Sequence, residues 1–179
     1  GCHRMSSIES NPSLTLPAIQ EYLAQSGTRY EVWPCDPALA DTVQFCKHYG
    51  VAPESSANTI LVKSKTGPEA YAVCVVLAST RLDVNQTVRR KLGARKVSFA
   101  SADETIAITG MEIGGVTPIG LPPELPVWVD ARVMACESIV LGGGNRSSKL
   151  KINPAALRGL PQLEVVADLG KDPPALPAG

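Results

Sequence analysis

Residues 70–77, Ala70-Tyr-Ala-Val-Cys-Val-Val-Leu77, form the most apolar stretch of the chain. The turn Thr66-Gly-Pro68 precedes them, and a run rich in β-branched residues, 59–63, lies before that turn. A short apolar run next to a turn is typical of a buried strand. We therefore expect residues 70–77 to form the central strand of a sheet, with Cys74 as a small residue of the core.

Outward from this strand, helical and strand patterns are interleaved along the chain. Helical spacing with a capping residue or a terminal glycine predicts helices, and short apolar or β-branched runs predict strands. The predicted helices cover residues 14–26, 37–49 (with Asp36 as N-cap) and 84–92, with short helices after Ser101, near Val133 and after Asn153. The predicted strands cover residues 30–33, 59–63, 70–77, 97–100, 127–129, 138–141, 149–152 and 163–166. This order predicts an α/β (α+β) fold, a single domain with a curled mixed β-sheet or a barrel-like sheet that is flanked by helices.

Length and composition are those of one globular domain. The chain has 179 residues, of which 44% are hydrophobic and 19% charged, and its formal net charge is zero. A strongly basic coat for nucleic acid is excluded, so a polyanion would have to meet a local patch. We expect residues 1–12 to be a disordered or tag-like N-terminus, residues 13–170 to be the domain and residues 171–179 to be a Pro-rich tail.

Five cysteines are scattered along the chain without a C-x-x-C pair. Their odd number and spacing argue against a zinc site and against the disulfide framework of a secreted protein. We therefore expect a reducing compartment and a cytoplasmic protein. No apolar run approaches the roughly 18 residues that suggest a membrane span, and we expect no membrane partner.

A glycine- and proline-rich segment, Thr109-Gly-Met-Glu-Ile-Gly-Gly-Val-Thr-Pro-Ile-Gly-Leu-Pro122, is the most informative candidate site. It holds four glycines and two prolines and a single charge, Glu112. Glycine permits close approach of a ligand to the backbone, and bare amide N–H groups can hold an anion or a carbonyl oxygen. The alternative is a turn-rich connection between a helix and a strand.

A second glycine motif, Gly142-Gly-Gly-Asn-Arg146, is followed by Lys149. Several exposed N–H groups and two cationic side chains would suit a phosphate or a carboxylate. The alternative is a hairpin turn with solvated charges.

A basic run, Arg89-Arg-Lys-Leu-Gly-Ala-Arg-Lys96, places five cations within eight residues at the end of a predicted helix. Such a run could hold a sugar-phosphate backbone. A solvated charged face is the equally weighted alternative.

Several familiar catalytic patterns are absent from the sequence. It contains no G-x-G-x-x-G after a strand, no G-x-x-x-x-G-K-[ST] and no G-x-S-x-G, which disfavours the corresponding nucleotide-binding and hydrolase folds. His48 lies at the predicted end of a helix, where histidine commonly complements the helix dipole. A Ser/His/Asp or Cys/His nucleophile is therefore poorly supported.

Four motifs in order resemble the YbaK/ProX family of aminoacyl-tRNA editing domains, which includes the editing insertion of bacterial prolyl-tRNA synthetases. They are Lys91-Leu-Gly-Ala-Arg-Lys-Val97, Thr109-Gly-Met-Glu-Ile-Gly-Gly-Val-Thr-Pro118, Leu125-Pro-Val-Trp-Val-Asp130 and Gly142-Gly-Gly-Asn-Arg146. The resemblance covers roughly residues 30–166, and it implies the fold of that family.

The resemblance also implies an activity, the hydrolysis of amino acids wrongly attached to tRNA, by a free-standing enzyme acting in trans on a small amino acid. Water or a group of the substrate would attack the ester, without a metal, a cofactor or a protein nucleophile, while backbone amides of the loop from Gly114 to Pro118 stabilise the oxyanion. The implied catalytic residues are Gly114, Gly115 and Asn58. The implied substrate-binding residues are Asp41, Thr42, Phe45, Val116, Thr117, Pro118, Gly143, Gly144, Asn145, Arg146 and Lys149. The implied tRNA-binding residues are Arg89, Arg90, Lys91, Arg95 and Lys96.

The implied partners are the acceptor end of an aminoacyl-tRNA and an aminoacyl-tRNA synthetase, with no role for DNA. Two positions depart from the family pattern. Asn58 stands where much of the family has a lysine, and Lys149 stands near a position where one branch has Asp. Two alternatives stay open for these reasons, a non-catalytic module that binds tRNA or a synthetase and a domain that binds a free amino acid or nucleotide.

Overall fold

The computed structural model describes residues 8–173 of the chain. These residues form ten strands and five α-helices. The strands are β1 (Tyr30–Pro34), β2 (Ala57–Ser64), β3 (Tyr71–Leu77), β4 (Arg81–Leu82), β5 (Val97–Phe99), β6 (Val127–Asp130), β7 (Ile139–Gly142), β8 (Ser148–Ile152), β9 (Leu163–Val166) and β10 (Gly170–Lys171). The helices are α1 (Pro17–Gln25), α2 (Thr42–Tyr49), α3 (Arg89–Leu92), α4 (Ala102–Thr109) and α5 (Ala131–Met134).

The larger sheet has five strands in the order β5-β2-β3-β6-β9, so β3 is central, as the apolar stretch predicts. Strand β2 is antiparallel to β3 and β5, whereas β3, β6 and β9 run parallel to one another. Strand β3 is covered on both faces, since Val73 and Val75 belong to one apolar cluster and Cys74 and Val76 to another. Burial on both faces explains why this strand is apolar throughout rather than alternating.

A second sheet, in the order β1-β8-β7, lies beside the first. An isolated parallel bridge between Ser56 and Val140 links the two sheets, and the Ser56 hydroxyl donates to the Val140 carbonyl over 3.3 Å. The largest apolar cluster combines residues from both sheets, such as Leu150 from β8 and Val129 from β6. The prediction of one mixed, curled arrangement with flanking helices is therefore confirmed.

The predicted helix over residues 37–49 is divided in two. A 3-10 turn, Pro37–Leu39, is capped by the Asp36 side chain, and α2 begins only at Thr42. The Ala40 carbonyl accepts a hydrogen bond from the Lys149 ammonium instead of joining a continuous helix. A tertiary contact thus replaces local helical bonding at this position.

Two other predicted helices are shorter or less regular than their sequence patterns suggest. The predicted helix over 14–26 begins at Pro17, a residue suited to the first helical position. The segment predicted as a helix over 84–92 consists of a π-helical turn, Val84–Val88, followed by α3, which ends at Gly93. By contrast, the capping box expected at Ser101 forms in full at the start of α4.

The N-terminal and C-terminal predictions fall partly outside the described residues. Residues 1–7 of the expected disordered N-terminus and residues 174–179 of the expected tail lie beyond them. Within the described part, the Asn11 N–H donates to the Val32 carbonyl over 2.8 Å, and the Ser10 hydroxyl accepts from the Val32 N–H. Residues 8–12 therefore pack on β1 and form part of the domain. No helix within residues 8–173 combines the length and apolar character needed to cross a membrane.

Candidate active site

The two glycine motifs pack against each other, backbone to backbone. The Gly144 N–H donates to the Gly115 carbonyl over 2.7 Å. A Cβ added at Gly115 would overlap the main chain of Asn145, and one at Gly142 would overlap the carbonyl of Val116. Only glycine permits this approach, so the two segments that the sequence singled out form one structural unit.

Residues 112–115 form a tight turn that presents the glycine loop. The Gly115 N–H donates to the Glu112 carbonyl over 2.8 Å, and Gly114 has a φ of 91°. This pattern is that of a type II turn, which requires a positive φ at its third residue. Among residues 8–173, no acceptor lies within hydrogen-bonding range of the Gly114 N–H or the Val116 N–H. A catalytic amide is expected at Gly115, but that N–H is used inside the turn. Within the loop from Gly114 to Pro118, the two residues that line the cleft, Gly114 and Val116, have N–H groups without an acceptor in the described part of the chain.

A cleft of about 250 Å³ opens beside this loop. Its walls come from the start of α2, the first half of β2, the glycine loop and the ends of β7 and β8. The lining residues are Asp41, Thr42, Val43, Ala57, Asn58, Thr59, Ile60, Ile113, Gly114, Val116, Gly142 and Lys149. Six residues that were predicted to be catalytic or to bind substrate line this cleft. They are Asp41, Thr42, Asn58, Gly114, Val116 and Lys149.

The first half of β2 presents an unpaired edge to the cleft. Strand β5 pairs only with residues 62–64 of β2. The Ser64 N–H bonds to Ala70 on the β3 side, whereas the Leu61 carbonyl accepts from Ala100 on the opposite side. Because main-chain groups alternate along an antiparallel strand, the N–H and carbonyl of Thr59 point to the open edge. Thr59 is not among the predicted site residues, because a local sequence pattern does not show where a neighbouring strand ends.

Asn58 and Thr42 meet across the mouth of the cleft. The Thr42 hydroxyl donates to the side-chain oxygen of Asn58. An asparagine amide carries two N–H donors in addition to its oxygen, and no acceptor for the Asn58 nitrogen is found within the described part of the chain. The Thr42 hydrogen bond thus orients Asn58 so that its NH2 group remains available to a ligand.

Lys149 is buried beneath the cleft with 4% of its surface exposed. Its ammonium donates to the carbonyl oxygens of Ala40 (2.6 Å) and Gly114 (2.9 Å) and lies 5.0 Å from the centre of the Phe45 ring. Burial lowers the pKa of this ammonium below its usual value. Lys149 therefore joins the loop before α2 to the glycine loop. Phe45, a predicted substrate-binding residue, packs against this ammonium and does not line the cleft.

Arg146 holds the rim of the same loop. Its Nε donates to the Pro37 carbonyl (3.0 Å), and one terminal nitrogen donates to the Ile113 carbonyl (2.6 Å) and to an Asp41 carboxylate oxygen (3.1 Å). A planar guanidinium with fixed donors is suited to such multiple contacts. Two of the three Arg146 nitrogens thus donate to protein groups, and one of these bonds positions Asp41 at the cleft.

The remaining residues of the second glycine motif are used within the protein. The Asn145 side chain donates to the Leu14 carbonyl over 3.0 Å and accepts from the Ser148 hydroxyl. The Gly143 carbonyl accepts from the Thr15 hydroxyl. These contacts fix the turn that supports the glycine loop.

Thr117 and Pro118 are buried behind the glycine loop. Within the described residues, the Thr117 hydroxyl oxygen has no hydrogen-bond partner. Both residues support the loop from behind and do not line the cleft.

The basic run lies in a separate hollow, lined by Thr66, Gly67, Arg89, Gly93, Ala94, Arg95 and Lys96. Lys91 turns away from it, because its ammonium pairs with Glu164 at 2.6 Å and lies 4.9 Å from the Trp128 ring centre. Four of the five predicted tRNA-binding cations, Arg89, Arg90, Arg95 and Lys96, have no acidic partner within residues 8–173. The same described range holds no group of three His, Cys, Asp or Glu residues arranged to hold a metal ion.

Comparison with known proteins identifies relatives of this chain. The sequence pattern of the "Aminoacyl-tRNA editing domain" family matches residues 36–160. A Bacillus subtilis protein named "Uncharacterized protein YwhH" is 23% identical over 89% of this chain and 99% of its own length. The Enterococcus faecalis "Putative Cys-tRNA(Pro)/Cys-tRNA(Cys) deacylase EbsC" is 27% identical over 56% of this chain and 59% of its own.

A segment of a synthetase and a solved structure are also similar to this chain. The proline–tRNA ligase of Bacillus licheniformis is 31% identical over 59% of this chain, which corresponds to 18% of the synthetase. The crystal structure of the hypothetical protein APE2540 shares the fold, with a TM-score of 0.74 at 23% identity over 86% of this chain and 99% of that one. The resemblance stated from the sequence motifs is confirmed by the family match.

Proposed function

The chain belongs to the aminoacyl-tRNA editing domain family, and from that premise we propose that it is a deacylase acting in trans on tRNA mischarged with a small amino acid. The observation that carries this proposal is that Gly114 and Val116, whose amide N–H groups have no hydrogen-bond acceptor within residues 8–173, line one cleft together with Asn58. Donors arranged before the substrate arrives can stabilise the negative charge of a tetrahedral intermediate.

The proposed reaction is ester hydrolysis by water. Water attacks the ester carbonyl carbon, the carbonyl oxygen becomes an oxyanion held by the loop amides, and the bond to the ribose oxygen then breaks. The departing ribose oxygen takes the proton that water loses, either directly or through the vicinal hydroxyl of the same ribose, and becomes a hydroxyl. The products are the free amino acid and uncharged tRNA, and the residues act by positioning and by hydrogen bonding. No metal takes part in the proposed reaction, and we therefore expect full deacylase activity in excess EDTA.

Three groups around the cleft would orient the aminoacyl end. The Asn58 NH2 group is placed to donate to the ribose or to the ester carbonyl. One oxygen of the Asp41 carboxylate is held by Arg146, and the carboxylate lies at the cleft, where it would attract the α-ammonium group. The outward-facing carbonyl of Thr59 is a second acceptor for that ammonium.

The size of the cleft favours a small amino acid. Pockets for small ligands commonly measure about 300–1,000 Å³, whereas this cleft measures about 250 Å³. The space must also admit part of a ribose. Small side chains are those that a synthetase discriminates least well by binding alone, which is why they require editing.

The basic hollow supports a tRNA substrate over a free amino acid. Thr66, at one side of the hollow, follows the end of β2, whereas Asn58 lies near its start. Six residues of strand correspond to about 20 Å, so one ligand that reaches both places must be far larger than an amino acid. A polyanion held by Arg89, Arg95 and Lys96 with its acylated end at Asn58 satisfies both sites. Association with a synthetase is a further part of the proposal, supported by the similarity to a segment of proline–tRNA ligase.

The test is deacylation of a panel of tRNAs charged with alanine, serine, cysteine, threonine or proline, with and without EDTA. We expect ester loss well above the spontaneous rate for at least one small residue, and loss of that activity in Gly114→Val. Salt-sensitive tRNA binding without hydrolysis would instead favour the non-catalytic module. If the wild type binds without hydrolysis, we expect the variant Asn58→Lys to hydrolyse the ester, because it introduces the residue that is common in the family.

A further inference from the structure

A second, apolar groove of about 290 Å³ continues from the cleft. The two share Thr59, Ile60, Ile113 and Val116, so they form one continuous depression. The residues that line only the groove are Leu61, Phe99, Ala100, Thr105. No step in the proposed hydrolysis uses this groove.

Two large apolar side chains border the groove while remaining open to solvent. Phe99 is 56% exposed and Ile113 is 48% exposed. The described residues contain three other large hydrophobic side chains with such exposure, and one of these, Val43, lines the adjoining cleft. Exposed apolar side chains concentrated at a concave site indicate a surface that contacts a ligand.

The groove also lies next to the basic hollow along the chain. Strand β5 ends at Phe99, and Lys96 comes directly before its first residue, so the two side chains are separated by about 10 Å of extended chain. The Lys96 carbonyl and N–H are bonded to Lys65 and Thr66, which fixes this junction against the end of β2. An exposed aromatic ring beside a cluster of cations is the arrangement that suits single-stranded nucleic acid, in which flat bases alternate with phosphates.

We propose, building on the proposed function, that the groove is a stacking site for the 3′-terminal nucleobase of an RNA, with the Phe99 ring as its platform and Ile113 on its rim. The base lies in the groove, the terminal ribose and its ester lie in the cleft, and the phosphates lead towards Arg95 and Lys96. A terminal ribose at the junction of cleft and groove would extend its ester into the cleft, its base into the groove and its 5′-phosphate towards the basic hollow. If the groove held only the side chain of the amino acid, the cations beside it would have no anionic ligand. A nucleobase is attached to phosphates that these cations can bind.

The test compares two RNA hairpins, one ending in an intact CCA sequence and one with an abasic 3′-terminal nucleotide. Both are uncharged and end-labelled, and their dissociation constants are measured by fluorescence anisotropy at low salt with the intact protein. Wild type should prefer the intact hairpin by about tenfold, a factor typical of one base stacked on an aromatic ring. In Phe99→Ala the two hairpins should bind with about equal affinity, while the affinity for the abasic hairpin stays unchanged. Phe99→Trp should retain the preference for the intact hairpin.

Val165→Ala is the matched control, because Val165 is exposed to a similar degree but lies on β9, the opposite edge of the sheet. It should keep the wild-type preference. The proposal is overturned if the preference is the same in wild type and Phe99→Ala, or if neither hairpin binds. A change in amino-acid preference during deacylation, with no change in the hairpin ratio, would also overturn it and assign the groove to the aminoacyl side chain. Binding is measured here without turnover, so a failure of the deacylase proposal would be seen separately.

Discussion

The Lys149 ammonium lies 2.9 Å from the carbonyl oxygen of Gly114, and its other protein acceptor is the carbonyl oxygen of Ala40 at 2.6 Å. One buried side chain therefore ties the turn that exposes the candidate amide donors to the loop that starts α2. A lysine is suited to this task because its ammonium offers three donors and no acceptor. The shape of the site depends on this contact as much as on the glycines.

Replacing Lys149 with methionine should destabilise the protein and misplace the glycine loop. Two buried carbonyls would lose their donor, and we expect the free energy of unfolding to fall by about 1–3 kcal/mol, with relief of the buried charge limiting the loss. Urea denaturation measures the loss of stability. Single-turnover deacylation measures the effect on the glycine loop, and we expect the rate to fall more than tenfold. Lys151→Met is the control, since Lys151 lies two residues further along β8 and is partly exposed, and its ammonium contacts Glu31 at 3.9 Å and the Trp33 ring at 5.6 Å without bonding a main-chain carbonyl in residues 8–173. Equal effects in both variants would contradict the role assigned to Lys149.

Gly114→Val should abolish deacylation. The φ of 91° disfavours a branched residue, and a Cβ at this position would meet the Arg146 guanidinium and lie 3.0 Å from an Asp41 oxygen. Strain of this kind costs about 1–3 kcal/mol. Gly110→Ala is the matched control, because Gly110 has a φ of 72° but nothing within 4 Å of an added Cβ. It should lose some stability and keep its activity, and activity that survives in Gly114→Val would remove the loop from the mechanism.

Thr42 should act on the substrate through Asn58. Thr42→Val removes the hydroxyl that donates to the Asn58 oxygen, and we expect the deacylation rate to fall about tenfold, whereas Thr42→Ser should stay near wild type. Asn58→Ala should cost at least as much. In the double variant Thr42→Val/Asn58→Ala the losses should not add, because the two residues form one unit. Additive losses would show that they act independently.

The two lysines of the basic run should differ in their effect on tRNA affinity. Lys96 lines the basic hollow, whereas Lys91 is paired with Glu164. Lys96→Gln should weaken tRNA binding and lower the slope of log affinity against log salt concentration by about one, the value for one phosphate contact. Lys91→Gln should leave the slope close to wild type. The reverse order would place the RNA on the Glu164 side of α3.

Acid should weaken the attachment of α4 to the sheet. The Lys63 ammonium donates to both carboxylate oxygens of Glu104 (2.8 and 2.7 Å), and this hydrogen bonding lowers the pKa of Glu104 to about 2. A carboxyl whose pKa is lower in the folded than in the unfolded state stabilises the protein above the unfolded value, near 4.5, and that contribution is lost as the pH falls towards 2.

Glu104→Gln keeps a residue that can complete the capping box but does not titrate. The stability difference between wild type and Glu104→Gln, measured by urea denaturation, should therefore shrink between pH 4.5 and pH 2. Asp103→Asn, which changes an exposed neighbour in the same turn, should show a smaller dependence. A difference that stays constant over this pH range would contradict the assignment.

Much of the fold could be predicted from local sequence patterns. The apolar run that becomes β3, the capping box of α4 and the glycines that end α2, α3 and α4 are local signals, and each one appears in the structure. The single helix expected over 37–49 is divided into a 3-10 turn and α2, and the Ala40 carbonyl between them accepts from Lys149, 109 residues away in the chain. A local pattern contains no information about such a competitor.

Local patterns in the sequence were sufficient to predict a mixed α/β domain, because strand periodicity and glycine turns are properties of neighbouring residues. The order of the motifs was sufficient to indicate the aminoacyl-tRNA editing family. The identity of the groups that face the cleft follows from the tertiary structure. It assigned Lys149 and Arg146 to main-chain carbonyls, used the Gly115 amide within a turn and brought Thr59 to an open strand edge. These outcomes depend on which segments, distant in sequence, lie within hydrogen-bonding distance of each donor and acceptor. They also depend on β5 pairing with only the last part of β2. Both are set by packing across the whole domain.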